Sequence, residues 1–183
     1  MQHSGPSEVA MTGVFFLRGI NLGKRRLTND ELVAAATDAG LPGTAAYQAS
    51  GNLLFAHENP PVGEAFSAGL ERALGYEVAC FRRSASELSD LLANQPFSAD
   101  QLAKSKGKPQ VTFLAAAPDA ATAAKVEAVG TEDDRVAVVG AHWFWLPENG
   151  VGRSALDVRA IEALVGRGTT RTVGTVERIL KKL

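Results

Sequence analysis

A chain of 183 residues, 45% apolar and 21% charged, has the composition of a globular protein with one medium domain or two small ones, and global disorder is excluded. A net charge of −1 excludes a polycation drawn to nucleic acid by its overall charge. The longest apolar runs, Gly13 to Leu17 and Val111 to Ala117, have strand length, far below the roughly 20 residues of a membrane-crossing helix.

Residues 1–11 read as a flexible tail: Met1 to Ala10 is polar, carries Gly5 and Pro6, and lacks the basic-then-apolar pattern of a secretory signal. The single cysteine, Cys80, allows no internal disulfide, fits a reducing compartment and points to a cytoplasmic protein.

The first predicted strand is Gly13 to Leu17, followed by the glycine-rich, basic loop RGINLGKRRL. Thr28 and Glu31 have the spacing of a capping box, and the helix they open carries Leu32, Val33, Ala36 and Ala39 before Gly40. Two strand-like runs then flank Ser50-Gly51-Asn52, residues suited to a tight hairpin. Val62 to Leu74 reads as a second helix with Phe66, Leu70 and Leu74 on one face, and Tyr76 to Arg82 alternates as a strand. Ser84 and Glu87 suggest a cap for a further helix through Leu92.

The polar, lysine-bearing stretch 98–109 reads as a linker. Beyond it the order restarts. Val111 to Ala116 is a strand, Pro118 opens an alanine-rich helix to Val129, and Arg135–Val139 and His142–Leu146 form a hairpin. Ser154 and Asp157 suggest a capping box for a helix to Val165, Thr169 to Val173 a last strand, and Gly174 to Leu183 a closing helix. The expected fold is therefore α+β, with two tandem ferredoxin-like (βαββαβ) subdomains and extra helices, residues 12–97 and 110–183. The repeat is one of element order, with no evident residue-level similarity between the halves.

Four segments in this order resemble a bacterial family known as domain of unknown function 1697: LRGINLG (17–23), YQASGNLLF (47–55), GVGRSAL (150–156) and TTRTVGTV (169–176). The resemblance implies the same pair of ferredoxin-like α+β subdomains and no established activity. Where the family carries Asn-Trp-Asn, this chain has Thr172-Val173-Gly174.

The same segments supply the candidate ligand-binding residues: Arg18, Asn21 and Lys24 after the first strand, Ser50 and Asn52 on the hairpin, Arg153 and Ser154 after Gly150-Val-Gly152, and Arg171 near the end. Glycine-rich loops leading into helices present N–H groups to anions, and arginine adds paired donors. GINLGK lacks the spacing and ending of a P-loop. His3, His57, His142 and Cys80 have no metal-ligand spacing, no catalytic acid–base pair stands out, and no cofactor or metal is expected. Asp30 and Glu31 read as a helix cap, and Glu132 to Asp134 as a solvated turn. A further basic patch comprises Lys104, Lys106 and Lys108.

The strand aromatics Phe15, Phe16, Phe55, Phe81, Phe113, Trp143 and Trp145 read first as core. Trp143 and Trp145, two apart on one strand face, are also candidates for base stacking or for a protein partner. The functional expectation is a non-enzymatic binding protein for a phosphate-bearing ligand, a nucleotide or single-stranded nucleic acid. The alternatives are an enzyme acting on a small phosphorylated or carboxylated metabolite, and a protein-interaction module.

Overall fold

The computed structural model describes residues 10–21, 26–57, 59–61 and 63–183. Its elements run β1 (Gly13–Arg18), α1 (Asn29–Asp38), β2 (Ala45–Ala46), β3 (Asn52–Phe55), α2 (Gly63–Leu74), β4 (Ala79–Ser84), α3 (Ala85–Ala93), α4 (Ala99–Lys104), β5 (Gln110–Phe113), α5 (Ala120–Glu127), β6 (Asp134–Val139), β7 (His142–Pro147), α6 (Val158–Val165), β8 (Thr169–Thr172) and α7 (Val173–Leu180). This is a mixed α+β protein with two four-stranded antiparallel sheets and, among the described residues, seven α-helices. No helix among those residues is long and apolar enough to cross a membrane. The chain divides into two compact units, residues up to Ala85 with Lys182–Leu183, and Ser86–Lys181.

In the first unit the strand order is β2-β3-β1-β4. Period-two alternation sends Phe15 and Leu17 of β1 and Leu53 and Phe55 of β3 to one face, where they meet Leu32, Ala35 and Ala36 of α1 and Phe66 and Leu70 of α2. Phe15 lies at the centre, with ring centroids 4.5 Å from Phe66 and 5.1 Å from Phe55. Val14, Phe16, Leu54 and Phe81 on the other face are buried as well, which is why GVFFL reads as an unbroken apolar run. Thr28 and Glu31 form the expected capping box at the start of α1.

The second unit has the equivalent order β6-β7-β5-β8. Trp143 and Trp145 of β7 pack with Leu114, Val126 of α5, Ile161 of α6, and Val136 and Val138 of β6. Phe144, Leu146, Val111 and Phe113 on the opposite face are also buried. Registers match between the units at residue level: Val14 faces Arg83 in the first, and Val111 faces Arg171 in the second. Each of those arginines precedes a hydroxyl residue, Ser84 or Thr172, after which a helix begins.

Several boundaries differ from the sequence expectation for local reasons. Segment 98–109 contains α4, capped by Ser98 and Gln101. Asp119, not Pro118, caps α5, because its carboxylate accepts the Thr122 N–H at 2.7 Å. Asp157, not Ser154, caps α6 through the Ala160 N–H. Thr172 caps α7, which therefore starts at Val173 and not at Gly174.

Candidate functional site

In the first unit the LRGIN loop and the hairpin are fastened to one another. Asn21 donates from Nδ2 to the Ala49 carbonyl at 2.9 Å and accepts the Leu27 N–H on Oδ1 at 2.8 Å, so both ends of its amide hold backbone. Asn52 is fully buried and donates from Nδ2 to the Tyr47 carbonyl and to Ser50 Oγ. The Leu17 N–H donates to the Gly51 carbonyl at 2.8 Å. Gly51 has φ +75°, and a Cβ there would lie 3.2 Å from that of Leu17, so the tight approach of hairpin to loop requires glycine. Asn21, Ser50 and Asn52, expected as ligand contacts, are thus brought together as fasteners of a loop pair. Arg18 is half-buried at the end of β1. Lys24 lies outside the described residues.

In the second unit Gly150, at φ +87°, leads into a 3-10 turn over Val151–Arg153. Ser154 accepts the Leu156 N–H on Oγ at 3.0 Å, and the Ala155 N–H reaches Asp134 Oδ2 at 3.2 Å. Asp134 is only 4% exposed and accepts the Trp145 indole N–H on Oδ1 at 2.8 Å, so one buried carboxylate joins the 150–156 loop to the core tryptophan. Around it lies a recess of about 320 Å³ lined by Thr131, Asp133, Asp134, Asn149, Arg153, Ser154 and Ala155. Arg153 is exposed and forms no ion pair among the described residues. A recess of similar volume near Phe97 offers less charge to a ligand. Its Arg135 is bound to Glu148 at 2.9 Å, and its Glu127 accepts the Val138 N–H.

Arg171 does not join Arg153. On β8 it pairs with Val111 of β5, on the sheet face opposite Trp145 and Asp134, and β8 and β6 are the two outer strands of the sheet. It is 8% exposed and donates to Thr169 Oγ1 and to the Thr170 carbonyl, and burial lowers its pKa to about 10.

The tryptophans correct another expectation. Trp143 and Trp145 are 3% and 8% exposed and belong to the core of their own unit, which leaves neither a stacking platform nor a partner surface there. Phe15, Phe16, Phe55, Phe81 and Phe113 are likewise buried. Asp134 is the residue that sequence reasoning misses, because Glu132, Asp133 and Asp134 together read as one solvated turn. The available signal was the indole N–H of a core tryptophan, which requires an acceptor.

No group of three or more His, Cys, Asp or Glu able to hold a metal occurs among the described residues. Cys80 is a free thiol pushed up to about 11 by burial.

No curated protein matches the chain. Among solved structures it is similar to a conserved bacterial protein, SP0830, from Streptococcus pneumoniae, at 22% identity and a TM-score of 0.71, covering 94% of this chain and 98% of that one. That likeness concerns the fold alone, and the paired LRGIN and SGN segments lie within a longer match. Residues 11–144 fit the family described as "Protein of unknown function (DUF1697)", and the chain belongs to that family.

Proposed function

We propose that this protein binds a small phosphate-bearing metabolite in the recess of the second unit, with Arg153 as the anion contact. The observation that carries the reading is the exposed guanidinium of Arg153, without an ion pair among the described residues, on the rim of a recess that also carries Asp133, Asn149 and Ser154. An arginine there offers two parallel N–H donors to a phosphate. The exposed Asp133 and Asn149 supply acceptors and an amide for hydroxyl groups on the same ligand, as in a sugar phosphate or a nucleotide.

The role is one of binding. Both oxygens of Asp134 are taken by Trp145 and Ala155, and the lining holds no histidine or cysteine to move a proton. Burial of the strand aromatics favours a small ligand over single-stranded nucleic acid, which needs exposed rings for its bases. The scaffold we infer is a pair of ferredoxin-like units, a reading supported by the equivalent strand orders.

The test is a low-salt thermal-shift and calorimetric titration with inorganic phosphate, a pentose phosphate and a nucleoside monophosphate. A ligand at about 100 times its Kd stabilises by about 2.7 kcal/mol, a shift of several degrees. Arg153→Ala is expected to weaken binding about tenfold or more. Equal binding by wild type and Arg153→Ala, or no shift with any of the three, would sink the proposal.

A further inference from the structure

The lysine-bearing segment 104–108 runs beside the Gly150 turn. The Lys106 N–H donates to the Glu148 carbonyl at 2.8 Å. Ser105 Oγ donates to the carbonyls of Gly107 and Pro147 and accepts the Gly107 N–H. Gly107 itself sits against the turn. A Cβ at this position would collide with the Pro147 carbonyl and come within 3.0 Å of Gly150 Cα. The two stretches are thus in backbone contact, and only glycine permits it.

Lys106 and Lys108 flank that contact, each one Cα step of about 3.8 Å from Gly107. Both are exposed and neither forms an ion pair among the described residues. Gly150 in turn begins the 3-10 turn that carries Arg153, whose N–H donates to the Gly150 carbonyl at 3.0 Å. The carboxylate of Glu148, whose carbonyl accepts from Lys106, is engaged by Arg135 at 2.9 Å. Lys106, Lys108 and Arg153 therefore belong to two stretches joined at one glycine–glycine contact, with Asp133 and the hydrogen-bonded Asp134 as the carboxylates of the recess lining.

We infer that Lys106 and Lys108 extend the Arg153 site into a subsite for a second phosphate, so that the preferred ligand class is a diphosphate ester and not a monophosphate. The inference rests on the proposed role of Arg153. In this arrangement Arg153 holds one phosphate and the exposed lysines of the adjoining stretch act as point charges on the next.

The experiment is calorimetry at low salt with inorganic phosphate and inorganic pyrophosphate, on wild type, Arg153→Ala and Lys106→Ala/Lys108→Ala, each with a melting curve to establish folding. Pyrophosphate is expected to bind wild type at least tenfold more tightly than phosphate. The double lysine variant should lose that advantage while its phosphate Kd stays within about twofold, and Arg153→Ala should weaken both anions. Pyrophosphate binding no tighter than phosphate, or a double variant that keeps the advantage, overturns the subsite while Arg153-dependent phosphate binding stands. Absence of binding by either anion to wild type overturns both readings.

Discussion

Replacing Asp134 tests whether one buried carboxylate joins the 150–156 loop to the core of the second unit. In Asp134→Ala the Trp145 indole, 8% exposed, loses an acceptor at 2.8 Å, and the Ala155 N–H loses one at 3.2 Å. Ala155 is exposed, so water replaces the second bond at small cost. A hydrogen bond from a buried donor to a carboxylate is worth about 1.5–3 kcal/mol. Relief of the carboxylate's own burial offsets part of this loss, and a net loss of about 2 kcal/mol is expected. Asp134→Asn can still accept from the indole on one oxygen but turns an amide donor toward Ala155, for an expected loss of about 1 kcal/mol. Both tryptophans lie on β7, so urea denaturation followed by their fluorescence reports on the second unit alone. An alanine variant within about 0.5 kcal/mol of wild type, against the cost of an unmet buried donor, would refute the reasoning, as would an asparagine variant as unstable as the alanine one.

Asn52→Ala removes the donor to Tyr47 and Ser50 at a fully buried site, and a loss of about 1–3 kcal/mol is expected by urea denaturation followed by far-ultraviolet circular dichroism. An unchanged midpoint would show that the hairpin holds without it. The Cys80 thiol ionises at about 11 when folded, against 9.0 for an ordinary thiol, so the unfolded chain loses its proton first. The stability this thiol contributes is fully present below pH 9.0 and is lost as pH rises to about 11, by about 2–3 kcal/mol. The wild type should therefore fall relative to Cys80→Ala across that window, and parallel pH profiles would contradict the assignment.

Much of the fold was legible because it depends on local rules. Thr28 and Glu31 met the geometry their spacing implied, and Ser50-Gly51-Asn52 turned as such residues do. The errors arose where two nearby residues could play one role. Ser154 and Asp157 could each open α6. The choice went to Asp157 because Ser154 follows a 3-10 turn and bonds to Leu156 instead. The candidate site was less legible than the fold, since the partners of Asn21 and Asp134 lie 28 and 11 residues away, at Ala49 and Trp145. A polar residue in a glycine-rich loop looks alike whether it awaits a ligand or holds a distant carbonyl, and only the tertiary partner separates the two.

The matched registers sharpen that separation. Arg83 and Arg171 occupy the same position in the two sheets, each on the face opposite the one that meets α1 and α2 in the first unit or α5 and α6 in the second, each nearly buried, and each donating to the carbonyl of the preceding residue. A structural requirement of the shared strand frame recurs wherever that frame does. The matched register gives Arg171 a structural role, and the hydrogen bonds of Asn21, Ser50 and Asn52 give them one in the fastening of their loops. Arg153 has neither explanation. Its turn follows β7 in the second unit, its guanidinium is exposed, and no paired strand position among the described residues of the first unit corresponds to it. That asymmetry between two otherwise equivalent frames is why the search for a ligand should begin at Arg153.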